Sequence, residues 1–144
     1  CTTVWLQADL AANSDTLCTL AYWHHPVFSS GPHGNDRRMA DAFHLLRAAG
    51  AEIVLVGHDH IYERFAPQDA AGNADPERGI RSFTAGTGGA RLYSLRKPQP
   101  NSEVRDVSTH GVLRLTLSST DYRWAFVPVD GAAPRDEGSA PCHR

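Results

Sequence analysis

The sequence predicts an α/β fold with a terminal antiparallel hairpin, on three observations. Residues 17–56 read as a strand, a helix and a second strand. Each of those strands runs out into a histidine pair: Trp23-His24-His25-Pro26 after the first, and Gly57-His58-Asp59-His60 after the second. Residues 111–117 and 121–129 alternate apolar and polar side chains around Ser118-Ser119-Thr120, the pattern of a hairpin packed on one face.

Residues 3–12 predict a short helix, with Leu6 and Leu10 one turn apart and Trp5 beside them, ended by Asn13-Ser14-Asp15. Leu17–Trp23 is a largely apolar run of strand length, as expected for a strand buried on both faces. Residues 24–36, rich in Gly, Pro, Ser and Asn, form a loop. Residues 37–49 predict a second helix, with Met39, Phe43, Leu46 and Ala49 on one face. Asn35 or Asp36 can cap its start and Gly50 its end. Glu52–Val56 is the next buried strand, and this unit implies parallel strands with a right-handed crossover. Ile61–Phe65 and Ile80–Ala85 are extended, and Gly86-Thr87-Gly88-Gly89 is a tight turn. Residues 94–107 read as a polar loop, and from Asp130 onward as an irregular tail.

The bulk properties exclude several classes. The 144 residues suffice for one domain with a real core. A formal net charge of −2 gives no electrostatic case for nucleic acid or an anionic membrane as a partner. No apolar run approaches the ~20 residues needed to span a bilayer. The three cysteines, Cys1, Cys18 and Cys142, have no CxxC spacing, which argues against a thiolate zinc site. Cys18 and Cys142 are either unpaired thiols or a bridge that ties the tail to the first strand; in the second case Cys1 is left over. The chain opens without an initiator methionine or an apolar leader, which leads us to expect sequence upstream.

His58 and His60 carry the chemistry. Residues two apart on an extended segment point the same way, so the two imidazoles share a face and Asp59 takes the other. Neutral imidazole suits zinc, iron, manganese and similar ions. Both histidine clusters fall at the carboxyl ends of parallel strands, the edge where open α/β sheets bind ligands. His25 reads as packing beside the site or on the surface rather than as a ligand. His44 reads as an exposed helical residue, His110 as a buried hydrogen-bonding group and His143 as tail. Trp5, Trp23 and Trp124 read as core or packing residues. Glu63 and Arg64 read as a pair, or as residues that fix the loop below the site.

These residues resemble a known family, the calcineurin-like metallophosphoesterases. Gly57-His58-Asp59-His60 resembles its GHxH motif, and Ile61-Tyr62-Glu63-Arg64 is similar to the xYER extension of the purple acid phosphatase branch. Ala21-Tyr22-Trp23-His24, with Pro26 following, resembles the VxxH segment, with Ala21 in place of the usual valine. Gly86-Thr87-Gly88-Gly89 and His110-Gly111 resemble the glycine turn and late HG strand. The similarity runs from Trp5 to Val129.

The resemblance implies the C-terminal half of a four-layered αββα sandwich over residues 1–129, followed by the tail 130–144. It implies hydrolysis of a phosphate ester at a dinuclear centre of iron, zinc or manganese, through a metal-activated hydroxide. His24 and His58 would ligate one ion and His60 the other. His33, nine residues after His24, would contact the phosphate or protonate the leaving oxygen. The branch is commonly exported, so an extracytoplasmic location is expected. The family's aspartate-x-histidine, GDxxY and GNH[DE] segments do not occur here, nor does the iron-binding tyrosine. The expectation is therefore a fragment, inactive alone, whose partner is the missing N-terminal half of the same domain. Two alternatives remain open: a non-catalytic metal-binding or interaction module that keeps one ion, and a phosphodiesterase of the same fold.

Overall fold

The computed structural model describes residues 2–143; Cys1 lies outside them. The order of elements is α1 (Thr2–Ala12), β1 (Leu20–Tyr22), a 3-10 turn (Arg37–Met39) running into α2 (Ala40–Ala48), then β2 (Ile53–Val56), β3 (Tyr62–Phe65), β4 (Arg81–Ala85), β5 (Ser102–Asp106), β6 (Gly111–Leu117), β7 (Asp121–Pro128) and β8 (Asp136–Pro141). Five strands make one sheet in the order β1-β2-β4-β3-β5. Strands β1, β2 and β4 are parallel, and β3 is antiparallel to β4 and β5. Strands β6, β7 and β8 make a second, antiparallel sheet.

The two faces of the first sheet explain its strand sequences. Val54 and Val56 face the α-helical side with Phe65, and pack there with Val27, Phe28, Phe43 and Leu46. Leu6 and Leu10 of α1 lie against the same core. Ile53, Tyr62 and Phe83 face the other way and meet Tyr122, Trp124 and Phe126 of β7. Strand β2 is therefore apolar at every position because each side chain enters one core or the other. Helices, sheet and second sheet stack as three layers around two cores.

The α2 start follows from Asp36, whose carboxylate accepts the Arg38 N–H at 3.0 Å. Its end follows from Gly50, at φ +83°, a left-handed value that favours glycine. Arg47 Nε donates to Asp75 Oδ2 at 2.7 Å and ties this helix to the 66–79 loop.

Four expectations are corrected. Strand β1 is shorter than Leu17–Trp23 and sits at a sheet edge, so it is not buried on both faces: Tyr22 is 79% exposed. Trp5, expected to pack, is 65% exposed on α1. The polar stretch 94–107 contains β5, which gains its backbone partners from β3 despite having no apolar run. The tail is not irregular throughout. Residues 136–141 form β8 against β7, making the expected two-stranded hairpin a three-stranded sheet.

The tail is held in three further ways. Cys18 and Cys142 form a disulfide, with Cα atoms 5.5 Å apart. Cys142 N–H donates to Thr120 O, and His143 N–H to Glu52 Oε1. Glu52 also accepts the Thr19 N–H at 2.7 Å, so one buried carboxylate joins the start of β1 to the end of the chain.

Candidate metal centre

The parallel ladder continues one step past the ends of β1 and β2. Trp23 N–H donates to Leu55 O, and Gly57 N–H to His24 O at 3.0 Å. This alignment sets His24 beside the Gly57-His58 turn. His58 then takes φ +63°, a left-handed conformation uncommon outside glycine. Asp59 N–H bonds back to Gly57 O and Ile61 N–H to Asp59 O, each at 2.8 Å. These successive three-residue turns break the simple alternation assumed for an extended His-x-His.

The turn brings His58 Nδ1 to 3.3 Å from His24 Nε2. His25 joins them: its ring centroid is 4.3 Å from that of His58 and 4.9 Å from that of His24. One nitrogen from each of His24, His25 and His58 lies within 4.8 Å of the others. The indole N–H of Trp23 donates to His25 O at 2.7 Å and fixes the backbone of this pair. Desolvation, then the imidazoles of His33, His25 and His24, push the His58 pKa below its ordinary value. The neutral ring, the form that binds a cation, is thereby favoured.

His33 stands on the other side of His58, with ring centroids 4.2 Å apart. Its Nδ1–H donates to Asp59 Oδ1 at 2.7 Å, which leaves Nε2 free. Asp59 stays out of the cluster and is fully buried. Besides His33 Nδ1 it accepts the Ser29 hydroxyl at 2.5 Å and the His33 backbone N–H at 3.2 Å. Two glycines make room for it. A Cβ on Gly31 would come 2.3 Å from Asp59 Cγ, and one on Gly86 would come 2.0 Å from Asp59 O. The Gly86-Thr87-Gly88-Gly89 segment is thus a close-approach turn under the site.

His60 does not enter the three-histidine group. Its Nδ1–H donates to Arg91 O at 2.9 Å, and its ring stacks on Tyr93, with centroids 4.2 Å apart. Tyr93 in turn lies 5.5 Å from His33, so it bridges the two sides of the site. Among the described residues, no carboxylate joins the cluster of His24, His25 and His58.

Glu63 and Arg64 do not pair with each other, because neighbouring residues of β3 face opposite cores. Glu63 is buried and accepts Ser30 N–H at 2.8 Å and the hydroxyls of Ser30 and Ser102 at 2.5 Å each. It thereby fixes the loop that carries His33. Arg64 donates to Asp136 at 2.7 Å and also binds Glu103, tying β3 to β8 and β5. Tyr62 donates to the same Asp136 at 2.6 Å. Burial, then Asp136, push its phenol far above the usual range, so it stays protonated between the sheets. His44 is exposed on α2, as expected; His110 donates to Ala90 O at 2.9 Å but is half-buried rather than buried. His143, expected to be free tail, bonds Gly79 O through Nε2.

Sequence reasoning set His25 beside the site, where the structure puts it within reach of His24 and His58, and passed over Tyr93. The His24-His25 pair was a visible signal for the first. Nothing in the polar 90–101 segment marked the second.

Comparison with known proteins fits this geometry. Purple acid phosphatase 18 of Arabidopsis thaliana is 35% identical over 140 residues, covering 90% of this chain and 31% of that protein. Purple acid phosphatase 21 of the same plant is 38% identical over 121 residues, covering 77% and 27%. The purple acid phosphatase PPD1 from yellow lupin (Lupinus luteus) seeds shares the fold, with TM-score 0.77 and 20% identity over 94% of this chain and 27% of that one. No family model matches. The chain spans about a third of the length of the curated relatives it matches. Its fold is that of a metallophosphoesterase. The chain belongs to the calcineurin-like metallophosphoesterases, in their purple acid phosphatase-like branch.

Proposed function

We propose that this chain is the C-terminal part of a phosphoric ester hydrolase with a dinuclear metal centre, and that the remaining ligands lie outside residues 1–144. The observation that carries this is the pairing of His24 and His58 at 3.3 Å on the ends of two parallel strands, with His60 two residues further along the same turn. His24 and His58 serve one ion and His60 the other. The Nδ1–H bond to Arg91 O leaves the His60 Nε2 lone pair for a cation, the arrangement that outer partners impose on ligating histidines. The donor set is imidazole, which accepts zinc, iron or manganese. When bound, such ions polarise a phosphoryl oxygen and lower the pKa of water.

The chain's own residues supply binding and proton transfer. Asp59 holds His33 in the tautomer whose Nε2 is free. When that nitrogen takes up a proton, the imidazolium, held by Asp59, can donate to a phosphate oxygen and deliver the proton to the leaving alcohol. Tyr93, between His60 and His33, forms an aromatic wall for the ester. The Cys18–Cys142 disulfide supports an extracytoplasmic location. No helix among the described residues is long and apolar enough to cross a membrane.

The test has two arms. The 144-residue chain should show no turnover of a chromogenic phosphate monoester, for want of a bridging carboxylate. The product of the complete reading frame should hold two ions per chain and turn the ester over, and H58A should abolish that turnover. Clear turnover by the short chain, or none by the complete product loaded with iron, zinc or manganese, would sink the proposal.

A further inference from the structure

We infer that His25, with His24 and His58, forms a three-imidazole site that holds one zinc-like divalent cation using residues of this chain alone. The inference deepens the metal-centre reading and rests on its assignment of His24 and His58. It differs from that reading in adding His25, a residue that the family resemblance leaves without a role.

The geometry is specific to these three rings. Their nitrogens lie within 4.8 Å of one another, close enough to converge on one ion after small side-chain rotations. The backbone under each is held independently. His24 O accepts the Gly57 N–H, His25 O accepts the Trp23 indole N–H, and His58 is turned inward by its left-handed φ of +63°. Among the described residues, none of the three imidazoles is hydrogen-bonded to a carboxylate or a carbonyl, and the one ring hydrogen bond among them joins His58 to His24. By contrast, His33 is committed to Asp59 and His60 to Arg91 O. Three neutral imidazoles with a fourth position open are a donor set that zinc takes in catalytic sites. Such a site needs no carboxylate, so it does not depend on ligands from outside this sequence.

The test is titration of the 144-residue chain with Co(II), read by its visible absorption, and with Zn(II), read by calorimetry. The expected result is one ion per chain, with the intense Co(II) bands of a four-coordinate site. H25A and H25Q should each weaken binding by more than about tenfold, a loss that even outer partners of a ligand can cause. H44A, which removes an exposed helical histidine, should bind as the parent does. Far-UV circular dichroism and apo thermal unfolding check that each variant is folded, and H25Q keeps a polar side chain if H25A is not. Unchanged affinity in folded H25Q, with H24A and H58A impaired, overturns the role of His25 and leaves the metal-centre reading standing. Unchanged affinity in H24A and H58A as well, or no binding by the parent, overturns the three-imidazole site; the metal-centre reading, whose other ligands lie outside residues 1–144, falls separately if H58A of the complete product keeps its turnover.

Discussion

Glu63 shows how single residues support the site without touching it. Its two oxygens accept three donors, two from the buried Ser30 and one from the half-buried Ser102. Glu63→Ala would leave those donors unpaired, and each buried orphan costs about 1–3 kcal/mol. We expect the variant to lose at least ~2 kcal/mol of stability in urea unfolding. A loss below ~1 kcal/mol would mean that the loop carrying His33 is held by something else. Asp59 acts in the same way on the other side of the turn. Both carboxylates sit inside the Gly-His-Asp-His and Tyr-Glu-Arg run, so their positions were legible in the sequence. Their partners Ser29, Ser30, His33 and Ser102 were not. Those contacts join residues 26 to 39 positions apart, which no local pattern encodes.

At the scale of elements, the strand-helix-strand unit from β1 to β2 was readable because each piece carries its own signal: an apolar run, a 3.6-residue stripe with caps, and a second apolar run. Strand β5 had none, since its residues Ser102–Asp106 are polar and partly exposed at the sheet edge. It forms because β3 offers an unpaired edge. Strand β8 is similar, and the Cys18–Cys142 bridge closes it against the start of β1 across 124 positions. Opening that bridge frees the longest loop in the chain. We expect reduction, or paired Cys18→Ser and Cys142→Ser substitutions, to cost about 2–5 kcal/mol. Urea unfolding with and without reductant measures it; identical midpoints would show that β8 is held by its ladder and its hydrogen bonds without the bridge.

For the whole molecule, Glu52, just before β2, links the start of β1 to the C-terminal segment through Thr19 and His143. Burial, set against those hydrogen bonds, raises its pKa above the ordinary value of 4.5. A carboxyl with a raised folded-state pKa contributes stability that is full below the unfolded value and falls as pH rises through the folded one. Relative to Glu52→Gln, the parent should therefore lose stability as pH rises from about 4.5, until the folded-state carboxyl is fully ionised. Unfolding free energies of both proteins between about pH 4 and 7 test this, and parallel curves would contradict it. The opposite slope comes from Asp75, whose carboxyl is held below its ordinary value by the Arg47 hydrogen bond. Its contribution is present above pH 3.8 and is lost as pH falls.

The sequence by itself determined the α/β class, the parallel pair β1–β2 with histidines at their carboxyl ends, and the family relationship carried by residues 21–26 and 57–64. Those features are local: period, caps and short motifs depend only on near neighbours. The tertiary structure alone decided which imidazoles meet. The left-handed turn at His58 swings it toward His24 and His25 and leaves His60 against Tyr93, where an extended strand would have paired His58 with His60. That turn is set by hydrogen bonds within the 57–61 segment, by room for Asp59 under Gly31 and Gly86, and by alignment of the ladder with β1. It also decided that β1 is an edge with Tyr22 exposed, because a strand's burial depends on what lies beside it rather than on its own composition.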